Sequence, residues 1–323
     1  MSRKLGLAVV QMGPINLADS RESVVKRLLA LLREAHARGA KLAVFPELAL
    51  TTFFPRWWMS EEEAVAKFFE RAMPNPVVQP LFDEARKREV GFYLGYAELE
   101  NPPAANAAAP LDRGAEPRRY NTSILVDQGG NIVGRYRKIH LPGHAEHKPE
   151  APFQHLEKKF FHVGNEGFKV WQTMGANVGM CICNDRRWPE AFRVMGLQTV
   201  EIVCLGYNTP SHNIHWPEPP HLRMFHHLLS LQANAYQNAT WIAAAAKCGF
   251  EDGFHMIGGS AIVSPSGEIA AQAATEDDEV IFANVDLALG ENFRRHVFNF
   301  AKHRRPEHYG LIVERVGAGD PLG

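Results

Sequence analysis

Residues 121–132, Asn121-Thr122-Ser123-Ile124-Leu125-Val126-Asp127-Gln128-Gly129-Gly130-Asn131-Ile132, return in altered form at 258–269 as Gly258-Gly259-Ser260-Ala261-Ile262-Val263-Ser264-Pro265-Ser266-Gly267-Glu268-Ile269. The two stretches share Ser, Val, Gly and Ile in register. Each reads as a strand, a polar turn and a second strand. Hairpins share turn chemistry whatever their origin, so convergence is one reading. The other is two similar halves, each with its own sheet and helices, packed sheet against sheet. That arrangement is an α/β fold with four layers, an α-β-β-α sandwich.

The flanking sequence supplies the layers. A first strand is expected at Leu5–Met12. Asp19 with Glu22 forms a capping-box pattern opening a helix whose apolar stripe is Val24, Leu28, Leu31, Leu32 and Ala35, with Gly39 as its stop. The buried run Leu42-Ala43-Val44-Phe45 ends at Pro46-Glu47. Ser60 with Glu63 could cap another helix, and 77–89 a third. Strands are expected at 92–97, 122–126, 132–136, 168–171, 178–183, 202–207 and 241–246. Between the later strands lie a helix with Pro189 near its first turn and a long helix at 221–238. Residues 99–117, rich in Pro and Ala, read as an exposed loop. One domain over 1–315 is expected, with 316–323 as an extension.

Bulk composition narrows the function. The chain has 323 residues, 46% hydrophobic and 22% charged, enough for a large core, and its formal net charge is −1. No basic face offers itself to nucleic acid, and no apolar run is long enough to span a bilayer. The start lacks a signal-peptide pattern, and the four cysteines, Cys181, Cys183, Cys204 and Cys248, are too few for a disulfide scaffold. Reduced thiols and a cytoplasmic location are expected.

Three strand ends carry reactive groups. Cys183 ends a buried strand and precedes Asn184-Asp185-Arg186-Arg187, a positive setting that favours thiolate. Cys181 and Cys183 at alternate strand positions face opposite sides, which argues against a metal pair. A cysteine in such a strand is otherwise an inert core residue. Glu47 is either a solvated strand end or, if buried near a thiol, a general base. Lys138 is either a surface ammonium or a fixed donor to an oxyanion.

These segments are the ones that make the sequence resemble a family. Glu47 in FPELALT, Lys138 in YRKIHLPG and Cys183 in CNDRRWPE resemble the Glu–Lys–Cys triad of the nitrilase superfamily. The further segments NTSILVD, PFQHLEK, GYNTPSHN, FHHLLS and HYGLI resemble its N-carbamoyl-D-amino acid amidohydrolases. The likeness runs from about residue 5 to about residue 314. It implies the nitrilase-type sandwich, with Cys183 as nucleophile, Glu47 as general base, Lys138 stabilising the tetrahedral intermediate and Glu157 as a second carboxylate, for which Glu146 and Glu150 compete. It also implies His140 and His155 near the catalytic groups, Asn184, Arg186, Arg187 and Asn208 at the substrate end, and His226 as a pocket histidine. Adjacent arginines cannot both point one way, so one of Arg186 and Arg187 should hold a substrate carboxylate and the other support structure. The implied reaction takes N-carbamoyl-D-amino acids to D-amino acid, ammonia and carbon dioxide. No cofactor and no metal are implied, the partner is a small-molecule substrate, and the assembly is a homodimer or homotetramer. Another amidase or a ureidopropionase-like enzyme of the superfamily is the alternative. The 15 histidines raise a metal-dependent hydrolase, but no H-x-H or H-E-x-x-H occurs.

Overall fold

The computed structural model describes residues 2–100, 117–212 and 218–319. The chain opens with β1 (Lys4–Gln11), β2 (Leu42–Val44), β3 (Gly91–Glu100), β4 (Arg118–Val126) and β5 (Ile132–Arg137). Next come β6 (Val170–Thr173), β7 (Ala176–Ile182), β8 (Ile202–Tyr207) and β9 (Trp241–Ala246). A small hairpin, β10 (Cys248–Glu251) and β11 (Phe254–Ile257), precedes β12 (Ala261–Val263), β13 (Ile269–Gln272) and β14 (Glu279–Asp286). Two six-stranded sheets result, ordered β14-β1-β2-β3-β4-β5 and β13-β12-β9-β8-β7-β6.

The second sheet repeats the first. β1-β2-β3 pair in parallel, as do β7-β8-β9, and each trio continues into an antiparallel pair, β4-β5 or β12-β13. β14 lies antiparallel on β1 as β6 does on β7. The two quoted hairpins even break register at the same place, with Val126 opposite Ile132 and Val263 opposite Ile269. Two similar halves are therefore the correct reading of that likeness.

Helices α1 (Arg21–Ala37) and α3 (Gln79–Arg88) cover the outside of the first sheet, with the short α2 (Glu62–Ala66) between them in the chain. After α4 (Glu157–Phe160), helices α5 (Pro189–Gly196) and α6 (Pro220–Asn238) cover the second sheet through Phe192, Met195, Leu231 and Ala235. The inner faces meet in one core of Leu7, Val9, Val44 and Leu125 against Val178, Met180, Ile182 and Ile202. These β-branched and leucine side chains, apolar on both strand faces, are what a covered parallel sheet requires. Tyr93 crosses the interface, donating to the Cys181 carbonyl at 2.9 Å and accepting from Gly206 N at 3.0 Å. The observed architecture is the expected α-β-β-α sandwich.

Local expectations are corrected in places. Helix α1 is capped by Ser20, whose side chain accepts from Ser23 N, whereas Asp19 turns back to Asn16 N at 2.8 Å. No side-chain cap opens α2, so Ser60 and Glu63 do not form one. Strand β3 runs to Glu100, paired with Arg118, so the loop begins later than residue 99. Residues 101–116 of that loop and 320–323 of the tail lie outside the described residues. No described helix is long and apolar enough to cross a membrane.

Candidate active site

Backbone geometry aims each reactive group. Strand β7 stops at Ile182, one residue before the sequence suggests, and Cys183 opens a 3₁₀ turn with φ +48°. A left-handed backbone is uncommon for a residue with a Cβ and marks a constrained position. Glu47 follows β2 through Phe45-Pro46, and Leu48 after it also has positive φ, +47°. The Glu47 backbone is gripped between the sheets. A Cβ on Gly95 of β3 would lie 2.7 Å from Glu47 Cα, and one on Gly206 of β8 would lie 2.4 Å from Glu47 N. Lys138 follows β5, where its N–H donates to the Asn121 carbonyl at 2.8 Å, so the first hairpin sets its position.

The four side chains converge in a fully buried cluster. Lys138 Nζ donates to Glu47 Oε1 at 2.8 Å and to Glu157 Oε2 at 2.5 Å. Asn121 Nδ2 donates to the same Glu47 oxygen at 2.7 Å and reaches Glu157 Oε2 at 3.5 Å. The second Glu47 oxygen accepts from Asn208 N at 2.9 Å. Cys183 Sγ donates to the Asn208 carbonyl at 3.6 Å. Donor atoms of Glu47, Glu157 and Cys183 all lie within 4.8 Å of one another. That spacing could cradle a cation, but the Lys138 ammonium bonds both carboxylates and supplies the positive charge itself. Glu157 is thus the second carboxylate bonded to Lys138, while Glu146 and Glu150 are exposed.

Electrostatics differentiate the two carboxylates. Burial raises Glu47, and the charge of Glu157 adds to that against the pull of Lys138. Burial opposes ionisation of Glu157 too, but Lys138 and His155 outweigh it and hold this group below the usual carboxylate range. Burial likewise disfavours the Lys138 ammonium, yet Cys183, Glu157 and Glu47 keep it firmly protonated. Burial and Glu47 raise the Cys183 thiol, while Lys138 and Arg186 favour its thiolate. A thiol beside a carboxylate of raised proton affinity is an arrangement that can serve as a nucleophile with its base.

The remaining sequence candidates separate. His155 Nε2 lies 3.4 Å from Glu157 Oε1. His140 Nδ1 bonds Asp185 Oδ1 at 2.8 Å, and its ring stacks on Trp188 at 4.9 Å. Asn184 donates to the His140 carbonyl at 3.1 Å and accepts from Arg187 at 3.2 Å. Asn208 spends both its main-chain N–H and its side-chain amide on Glu47. Arg186 is buried and Arg187 exposed. His226 is about half exposed (47%) on α6, 3.8 Å from Glu218, while its neighbour His227 turns inward to Tyr207.

Sequence reasoning missed Asn121 and Asp185. Asn121 opens the quoted hairpin, directly beside the strand pairing that carries Lys138. Asp185 is fully buried and accepts from Tyr136, Ile182 N and His140, locking the turn after Cys183. A polar residue two positions past a strand-end cysteine was the available signal.

The carbon–nitrogen hydrolase family model matches residues 6–295, and the chain belongs to that family. It is 27% identical to an N-carbamoylputrescine amidase of Oryza sativa subsp. japonica, covering 97% of this chain and 96% of the relative. It is 28% identical to a citrullinase of Francisella tularensis, covering 96% and 98%. A carbon–nitrogen hydrolase from Helicobacter pylori G27 superposes with a TM-score of 0.77 at 22% identity, covering 97% of this chain and 99% of that one. The superfamily expectation holds at this level. The narrower likeness to the D-amino acid amidohydrolases is not what these relatives are named for.

Proposed function

We propose that this chain hydrolyses N-carbamoyl-D-amino acids through a cysteine-bound acyl intermediate. Glu47 takes the Cys183 proton as sulfur attacks the ureido carbonyl. Lys138 has three N–H bonds, and two are committed to Glu47 and Glu157, which leaves one for the oxyanion. Collapse of the tetrahedral adduct expels one nitrogen, protonated from Glu47. Water, deprotonated by Glu47, then attacks the acyl carbon and releases the thiol and a carbamic acid, which breaks down to carbon dioxide and the remaining amine, so the overall products are amino acid, ammonia and carbon dioxide.

The observation that carries the substrate reading is the exposed charge of Arg187 in the turn that Cys183 opens. Arg187 is exposed and, among the described residues, hydrogen-bonded to Asn184. The like charge of Arg186 and partial removal from water hold it down to about 9, with Arg223 adding to the effect against Cys183 and Glu218. A guanidinium in surplus positive field favours a carboxylate, which it can grip with two parallel bonds. N-carbamoylputrescine would present an ammonium there instead, and citrulline both charges. The D configuration rests on the matched segments CNDRRWPE and GYNTPSHN.

Turnover of N-carbamoyl-D-phenylalanine, its L enantiomer, N-carbamoylputrescine and citrulline by wild type and Cys183→Ala tests the proposal. The D-carbamoyl acid should have the highest kcat/KM, and Cys183→Ala should be inactive. A preference for the cationic ureide would sink the substrate assignment. Arg187→Ala should raise KM for the carbamoyl acid about 10- to 100-fold with kcat little changed, the loss of a charge-assisted pair used in ground and transition states alike.

A further inference from the structure

Arg186 and Arg187 are adjacent in sequence but do different things in the fold. Arg186 is fully buried. Its Nη1 donates to the Cys183 carbonyl at 2.7 Å and lies 3.8 Å from Cys183 Sγ, and its Nη2 donates to Thr209 Oγ1 at 2.8 Å. The guanidinium carbon sits 4.6 Å from the centroid of the Tyr207 ring. Tyr207 is itself held, donating to the Gly258 carbonyl at 2.8 Å and meeting His227 Nε2 at 2.9 Å. Asn234 donates to the Arg186 carbonyl at 3.0 Å. Both terminal nitrogens and the carbonyl of this residue are thus anchored to protein, while its buried Nε has no hydrogen-bond partner among the described residues.

Cys183 has two needs that this placement meets. Its left-handed backbone must be over-determined by its surroundings to persist, and Arg186 Nη1 holds the carbonyl of that residue. Its sulfur carries negative charge during the reaction in a pocket almost closed to water, where an uncompensated anion is costly. The charged and titratable groups around the sulfur are Glu47 after β2, Lys138 after β5, Glu157 of α4, Tyr207 of β8, Arg223 of α6, and Arg186 and Arg187 of its own turn. Lys138 is bound by two carboxylates, and Arg223 by Glu218 at 3.0 Å. Among the described residues Arg186 has no carboxylate partner.

We propose that Arg186 is a catalytic residue of the nucleophile and no substrate clamp: it holds Cys183 in its left-handed turn and adds to Lys138 a second positive charge that stabilises the thiolate. The inference rests on Cys183 being the nucleophile. It divides the arginine pair, with Arg186 acting on sulfur and Arg187 on substrate.

The test is the pH dependence of Cys183 alkylation by iodoacetamide, read alongside steady-state kinetics on N-carbamoyl-D-phenylalanine. Arg186→Gln should move the alkylation midpoint upward by about 1 pH unit, the size of one neighbouring charge, and lower kcat while KM holds. Arg187→Gln should raise KM and move the midpoint less than Arg186→Gln does. Thr209→Val, which removes only the Nη2 partner, should give a smaller upward shift and serves if Arg186→Gln fails to fold. Midpoints in Arg186→Gln and Thr209→Val equal to wild type, with Cys183→Ala inactive, overturn this inference alone. Turnover retained by Cys183→Ala overturns the nucleophile reading instead.

Discussion

At residue 138 the ammonium is the only cation bonded to both buried carboxylates among the described residues, so its removal has two separable effects. Loss of the oxyanion donor in Lys138→Ala should lower kcat by on the order of 10²–10³. With the ammonium gone, one carboxylate must take up a proton on folding. A carboxyl whose folded pKa lies above its unfolded one binds more protons folded, so the variant's stability should fall as pH rises through and above the ordinary carboxylate range. Thermal melts across that range check the sign. A flat difference from wild type would contradict it. Asn121 offers a finer probe, because its amide hydrogen bond favours the ionised form of Glu47. Base catalysis is lost as pH falls through the Glu47 value, so the acid limb of kcat/KM should lie above the ordinary carboxylate range. Asn121→Ala should push that limb further up, a shift that belongs to the coupled cluster as a whole. An unmoved limb would place the base elsewhere.

At the scale of elements, the site depends on a short segment threaded between two sheets. Residues 45–56 are pinned by a buried network in which Glu251 of β10 accepts from Arg56 Nη2 at 2.5 Å, Phe53 N at 2.8 Å and Lys247 Nζ at 2.8 Å. Lys247 also donates to the Thr51 carbonyl at 2.8 Å. Gly206 is where β8 lets Glu47 through, since a Cβ there would collide with the Glu47 amide nitrogen. Gly206→Ala must therefore displace backbone, not a flexible side chain. The expected cost is about 1–3 kcal/mol of stability for the overpacking and roughly 100-fold in kcat for a base moved by about an ångström. Circular dichroism with kinetics separates the two. Full activity in the folded variant would mean that the Glu47 position is not critical.

At the scale of the whole molecule, neither half owns a complete core. Leu7, Val44 and Leu125 from the first sheet are buried against Val178, Ile182 and Ile202 from the second, each worth about 1.5–3 kcal/mol when covered. β14, late in the chain, completes the first sheet by pairing with all of β1. A fragment of residues 1–166 would expose both that inner face and the β1 edge, and an uncovered apolar edge templates association. It should not unfold cooperatively and should aggregate, whereas the full chain unfolds with its two sheets together. A sharp melting transition in the soluble fragment would refute this.

Local sequence was enough to show the periodicities, the internal hairpin repeat and three reactive residues each closing a strand. Those follow from local rules: strands alternate or run apolar, turns need Gly and Asn, and a charge after an apolar run is conspicuous. Glu47, Lys138 and Cys183 were legible for that reason, helped by their resemblance to known motifs, and Glu157 through the resemblance of PFQHLEK alone. Other features were decided only by the tertiary structure. Whether Ser20 or Asp19 caps α1, and whether β7 ends before or at Cys183, depends on which competing hydrogen bond the packed chain completes. Asn121 and Asp185 gain their roles from partners 74 and 45 residues away, and Arg186 parts from Arg187 because one side chain meets the aromatic face of Tyr207 and the other meets solvent. Burial, distance and surrounding charge are properties of the folded neighbourhood, and no spacing along the chain encodes them.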